Sequence, residues 1–231
     1  MEIQSSPLPI IQCAGSKTQG AGTLRTQAGC PVKFVAHPDA EPKPGEVYAS
    51  PDVDSDVPGR HWRDVLEEYN AIHEGRPTNP LGLLPAYRLY RPRTHPELYQ
   101  EAVRILGAQH VYILSAGWGL VRASYLLPCY DITFSPQADR CERRGARDAY
   151  SDFAHLDEVG RKLVVFFGGM SYHGTLVNLT KQVRLADKAL FFNSAQEPDL
   201  PGWRTKPYPS RGKTNWHYPC LAEFLQGDLE I

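Results

Sequence analysis

An α/β fold is what this sequence predicts, a single-domain three-layer arrangement over residues 1–231 with a mostly parallel central sheet of four or more strands. Three observations predict it. Four short apolar runs are each followed at once by small or polar residues, stretches with helical periodicity alternate with them, and no break in composition divides the chain.

The first run, 8–12, leads into CAGSK and the second, 110–114, into SAGWG. The third, 163–167, leads into GGMSYHG and the fourth, 189–192, into NSAQEP. A parallel strand covered by helices on both faces is apolar throughout, and a small-residue turn at its carboxyl end lets the chain enter the next crossover. Between the first two runs, Trp62, Val65, Leu66, Tyr69 and Ile72 recur at helical spacing and predict a helix with these side chains facing inward. Pro96 opens a second helix that turns Leu98, Ala102, Ile105 and Leu106 inward and stops near Gly107. Further helices are expected over 175–183 and 219–225. The Pro-rich piece 38–58 reads as a loop within the domain.

With 42% hydrophobic and 22% charged residues, the composition excludes disorder, collagen and coiled coils. The balance of 25 basic against 26 acidic side chains excludes a histone-like binder. Charge is nevertheless segregated: residues 39–74 sum to −7, which leaves +6 on the remainder. The acidic stretch reads as a solvated outer face, and the basic excess gathers around 88–93, 140–147 and 204–213. The amino-terminal segment lacks a cationic, apolar leader pattern, and no run is long enough to span a bilayer, so a cytoplasmic protein without membrane contact is expected. Five scattered cysteines with no C-x-x-C pair read as reduced thiols. His217 and Cys220 form an H-x-x-C pair without a second pair at ligand spacing, so no metal or cofactor is expected.

In parallel sheets ligands bind at the carboxyl ends of the strands, which places all four turns on one edge. The turn from Cys13 through Thr18 ends like a phosphate-binding loop, but Ile10 stands where that motif needs a glycine. Ser16 and Lys17 then read either as binders of a phosphate or base edge or as a plain turn. In the segment 113–121, Gly117 and Gly119 flank Trp118, which could stack on a planar ligand, and Tyr130-Asp131 supplies a carboxylate downstream.

These residues carry a resemblance. A strand ending in Cys-x-x-Ser-Lys, the element Glu-Val-Tyr-Ala-Ser-Pro at 46–51, Leu-Ser-Ala-Gly-Trp-Gly-Leu-Val, and Pro-x-Tyr-Asp-Ile-Thr together resemble a bacterial family of uncharacterised domains. That family is similar to the peroxide-stress protein YaaA and to the central domain of archaeosine synthase, and the resemblance covers residues 8–135. It implies a fold related to uracil-DNA glycosylases and a nucleobase substrate, with removal of modified bases in antiphage defence among the implied roles. Cys13-Ala14-Gly15-Ser16 stands where those glycosylases carry Gly-Gln-Asp-Pro-Tyr, so the catalytic carboxylate must come from elsewhere, and Asp131 is the choice.

The expected function is hydrolysis of an N-glycosidic bond in double-stranded DNA with the target base flipped into a pocket, without an obligate protein partner. Asp131 would activate water, while His173 or Lys17 would offset charge on the departing base. Cys13, Ser16, Ser115, Gly117, Trp118, Tyr130 and Asn193 are the expected base pocket. Ser171, Tyr172, Arg204, Lys206, Arg211 and Lys213 are the expected nucleic-acid contacts, the last four interleaved with Trp203, Tyr208, Trp216 and Tyr218. Two alternatives stand beside this reading. One is a transferase acting on a nucleobase through Cys13 or Lys17, as in archaeosine synthase; the other is a DNA-binding stress protein without turnover.

Overall fold

The computed structural model describes residues 6–39, 42, 44–145, 148–157, 159–210, 212 and 214–231. The chain enters through β1 (Leu8–Gln12), then forms β2 (Val32–Val35), β3 (Val47–Ala49) and helix α1 (Trp62–His73). It returns through β4 (Leu84–Pro85), α2 (Ala86–Leu89) and α3 (Leu98–Leu106) to β5 (Tyr112–Ser115) and β6 (Gly119–Arg122). Next come β7 (Leu126–Leu127), β8 (Tyr130–Asp131), β9 (Phe153–Ala154), β10 (Leu163–Phe167) and α4 (His173–Leu179). The chain ends with β11 (Asp187–Phe192), β12 (Arg204–Pro207) and α5 (His217–Gln226).

Seven strands form the main sheet in the order β12-β11-β10-β1-β5-β6-β9, and all neighbours run parallel except β5 and β6. The four runs predicted from sequence are β11, β10, β1 and β5, which lie side by side at the centre. Helices cover both faces. Successive side chains of a strand point to opposite sides, and Phe167 meets Phe224 of α5 with ring centroids 5.0 Å apart, while Phe166 meets His173 of α4 at 6.1 Å. The expected three-layer α/β arrangement is therefore present.

The Pro-rich piece is more ordered than a loop, since β3 lies within it and pairs with β2 in a second parallel sheet, β3-β2-β8. β8 matters most there, because it carries Asp131 from this small sheet toward the carboxyl edge of the main one. Buried side chains of both sheets join in one hydrophobic core.

The helices depart in detail from their expected faces. In α1, Trp62 and Leu66 are buried, but Ile72 is 55% exposed and Asn70 turns inward. The buried surroundings there need polar partners: Asn70 Nδ2 donates to the Leu66 and Leu126 carbonyls at 3.0 Å, and its Oδ1 accepts from the Leu126 N–H at 2.7 Å. In α3, Ile105 is exposed and Tyr99 is buried, with its hydroxyl donating to the Gln12 carbonyl at 2.6 Å. The acidic stretch is not wholly solvated either, because Asp52 accepts a 2.6 Å bond from the buried Arg63.

The turn joining β5 to β6 corrects three expected pocket residues. Trp118 is fully buried, stacked with Phe153 at 6.4 Å and edge-on to Phe34 at 5.1 Å, so it cannot cover a ligand base. Ser115 is also fully buried and bonds to the Trp118 N–H at 3.1 Å and to the Tyr130 hydroxyl at 2.9 Å. Gly117 is confined by packing, since a Cβ there would lie 3.1 Å from Ile132 and 3.2 Å from Tyr130. Gly119, at φ +87°, opens β6 with no room for a side chain: a Cβ would come within 2.6 Å of Asp152 Cβ and the Phe153 carbonyl.

All five cysteines are free thiols. Among the described residues, no helix is long and apolar enough to cross a membrane. Arg144 and Asp152 form a doubly hydrogen-bonded ion pair at 2.9 and 2.6 Å with side chains only 6% and 5% exposed. Removing one partner leaves the other charge buried without compensation, so Asp152→Ala is expected to lower stability by about 3–5 kcal/mol in urea denaturation.

Candidate functional site

The turns after β1 and β10, the strand end after β8 and the start of α5 converge on a cavity of 480 Å³ at the carboxyl edge of the main sheet. A cavity of this size falls within the ~300–1,000 Å³ typical of small-molecule sites. Its floor is rigid. Gln12 Oε1 accepts the Gly169 N–H at 2.7 Å, and the Cys13 N–H continues the parallel pairing to the Leu114 carbonyl at 3.0 Å. Gly168 permits this approach, because a Cβ there would sit 2.3 Å from Phe166 Cζ and 2.8 Å from Gln12 Cβ.

Beneath the floor lies a run of buried hydroxyls and one thiol. Cys13 Sγ is 3.2 Å from the Tyr172 hydroxyl, and the Tyr130 hydroxyl is 2.7 Å from that of Tyr90. Burial pushes the Tyr90, Tyr130 and Tyr172 phenols well above the usual tyrosine range, so all three stay protonated. Lys17 rests over this layer, with Nζ 4.2 Å from the Tyr130 ring centroid.

Two carboxylates face the cavity, Asp131 and Glu142. Lys33 Nζ holds Asp131 at 3.0 Å across a partly exposed pair. Burial acts to lower the Lys33 pKa, but its hydrogen bond to Asp131 and the Asp131 charge outweigh this and raise it. Glu142 reaches the cavity because its segment pairs beside the strand end: Thr133 N–H donates to the Glu142 carbonyl at 2.9 Å, and Arg144 N–H to the Thr133 carbonyl at 2.8 Å. Burial and then the negative charge of Asp131 push the Glu142 carboxyl above the ordinary range, against the opposing pull of Lys33 and Lys17. One carboxyl is thus held in an ion pair with Lys33, while the other has its pKa raised by burial and by its carboxylate neighbour.

Trp216 and His217, at the start of α5, line the same cavity. His217 is 5% exposed, its Nε2 has no hydrogen-bond partner among the described residues, and burial drives its pKa down to about 4. Asn215 precedes them at φ +61°.

Of the residues singled out from sequence, Cys13, Lys17, Asp131, Ser171 and Tyr172 line this cavity together. Tyr130 supports Lys17 from beneath. Ser16 faces a neighbouring groove. His173 and Asn193 instead border a separate recess of 140 Å³ that shares Gly169 and Trp216 with the main cavity. Asn193 Nδ2 donates to the Gly212 carbonyl at 2.9 Å, so that amide proton holds a loop, and burial lowers the His173 pKa. Arg204 is paired with Asp187 at 3.0 and 2.6 Å, and Lys206 Nζ donates to the Glu230 carbonyl at 2.6 Å. Both lie on the outermost strand, Arg204 at its amino end and away from the cavity. Arg211 and Lys213 lie outside the described residues.

Glu142, Lys33, Gln12 and His217 are site residues that the sequence did not single out as such. Glu142 sits in an arginine-rich loop with no local signature, and His217 drew notice only as half of a metal pair. Among the described residues, no three His, Cys, Asp or Glu side chains gather in a metal-binding group. Comparison with known protein families, curated proteins and solved structures finds no match.

His217 and His155 are both held neutral by burial, with pKa values driven down to about 4 from 6.5. Each therefore contributes stability that is fully present above pH 6.5 and is lost as pH falls toward 4. The slope should be about 1.4 kcal/mol per pH unit for each group. Urea denaturation between pH 6.5 and 5 is expected to show this decline, and His217→Gln to reduce the proton uptake on unfolding by about one.

Proposed function

We propose that the protein cleaves the N-glycosidic bond of a nucleobase in DNA, on a scaffold of the uracil-DNA-glycosylase type. The observation that carries this reading is the pair of carboxyls lining one cavity in unlike settings, Asp131 in a 3.0 Å ion pair with Lys33 and Glu142 with its pKa raised by burial and by the Asp131 charge. Glycosidic hydrolysis needs such a division. A carboxylate takes a proton from water as its oxygen bonds to the anomeric carbon, and a carboxylic acid gives a proton to the base nitrogen as the carbon–nitrogen bond breaks.

Asp131 is the base in this scheme, and its negative charge also stabilises the cationic sugar of the transition state. Glu142 is the acid. Lys17, over the Tyr130 ring, supplies positive charge near the departing base. Trp216 and the turn carrying Tyr172 offer the apolar surfaces against which a flipped base would lie, the role that sequence assigned to Trp118.

Asp131→Asn and Glu142→Gln are each expected to slow base release by about 10²–10⁴-fold. The assay is mass spectrometry of DNA carrying natural and phage-type modified bases after incubation with the protein. A free base supports the proposal. A mass gain on the DNA would replace it with group transfer, and DNA bound but unchanged with a non-catalytic binder. With Glu142 as the acid, the rate should also fall as pH rises through its titration, and Glu142→Gln should remove that dependence.

A further inference from the structure

Beside the carboxylate-lined cavity runs a groove in two segments of 470 and 480 Å³. The nearer segment shares Ala14, Gly15, Lys17 and Asn215 with the cavity wall, and the farther one continues past Thr18 to Arg91 and Arg93. Lys17 borders all three spaces. The change of charge along this path is abrupt. The cavity carries two carboxyls, whereas the groove is lined by Lys17, Arg91 and Arg93 and by no acidic side chain among the described residues.

The cations are held in place by backbone. Arg91 N–H donates to the Ser16 carbonyl at 3.0 Å, and Thr18 N–H donates to the Leu89 carbonyl at 2.8 Å. The Thr18 hydroxyl donates to the Arg88 carbonyl at 2.6 Å, and Lys17 bridges antiparallel to Tyr90. Two segments distant in sequence are thereby laced together with their cationic side chains on one channel. Pro92 and Pro96 stiffen the outer wall. Arg91 donates to Glu97 at 3.3 Å in an exposed ion pair, and Arg93 has no ion-pair partner among the described residues. Arg93 can take an anion directly, and Arg91 by exchanging its exposed Glu97 contact for phosphate oxygens in the same paired geometry.

We propose that this groove is a phosphate track, holding the phosphodiester groups on one side of the nucleotide whose base occupies the cavity, with Lys17 at the junction and Arg91 and Arg93 beyond it. The proposal rests on the nucleobase reading of the cavity and deepens it. It also moves the nucleic-acid face from the carboxyl-terminal cations to the turn after β1 and the segment after α2.

The test is the salt dependence of binding to a short fluorescein-labelled single-stranded oligodeoxynucleotide, followed by anisotropy. Each phosphate neutralised on a single strand contributes about 0.7 to the slope of log affinity against log salt. Replacing both arginines, Arg91→Ala with Arg93→Ala, should reduce the slope by about 1.4, and Arg93→Lys should restore part of the affinity lost by Arg93→Ala. Arg204→Ala with Lys206→Ala, on the outer strand, should leave the slope unchanged. An unchanged slope in the first variant, an equal loss in the second, or no binding by the wild type would overturn the track. Competition by a deoxynucleoside monophosphate as strong as that of the oligonucleotide would confine the site to one phosphate and likewise overturn it. Binding requires no turnover, so the two proposals fail separately. A reduced slope without base release would sink the glycosidic reading alone, and base release with an unchanged slope would sink the track alone.

Discussion

Two buried guanidiniums hold the turn on which much of this structure depends. Reversing direction between β5 and β6 inside the protein leaves the carbonyls of Ala116, Gly117 and Trp118 away from bulk water, where an unpaired backbone acceptor is costly. Arg144 donates to the first at 2.8 Å, and Arg63 donates to the second and third at 3.4 and 3.2 Å. Each arginine is itself paired with a carboxylate, Asp152 and Asp52 respectively. The four side chains gather β3's sequel, α1, the loop after β8 and the approach to β9 around one reversal. Trp118 enters the core as part of this arrangement, with Arg63 lying 5.4 Å from its ring.

That clamp explains where the sequence was legible and where it was not. The central strands could be read because burial on both faces makes each an unbroken apolar run, and all four lie together. β12, with the sequence RTKP and largely exposed, has no such run, and β3, β8 and β9 are too short to carry a pattern. Helix positions were found, but Asn70 and Ile72 exchange their expected places because partner geometry, not periodicity, sets which polar group is buried. Gly-Trp-Gly looked like a ligand platform, since glycines around an aromatic mark close approach. The approach is real, but it is of core side chains.

The same limit applies at the cavity. Cys13, Lys17, Ser171 and Tyr172 were visible because they follow the apolar runs of β1 and β10, and the sheet brings those strand ends together. Asp131, at the end of the short β8, was reached through the resemblance of its Pro-x-Tyr-Asp-Ile-Thr segment. Glu142 was not, because its place depends on a bridge between the chain after β8 and the loop that carries Arg144. The clamp that fixes Arg144 therefore also helps position the carboxyl two residues before it in sequence. Local sequence carries little trace of such a dependence.

The outermost strand has a consequence of its own. An exposed sheet edge invites a second chain to add a strand, and proteins discourage this with charge and proline. β12 carries Arg204, Lys206 and Pro207 along that edge, with Arg204 locked to Asp187 and Lys206 to the chain end. These cations looked like a surface for polyanions when only their spacing was known. In the fold they lie on the edge strand of the sheet, which thus carries the charge and proline that disfavour pairing with a further strand.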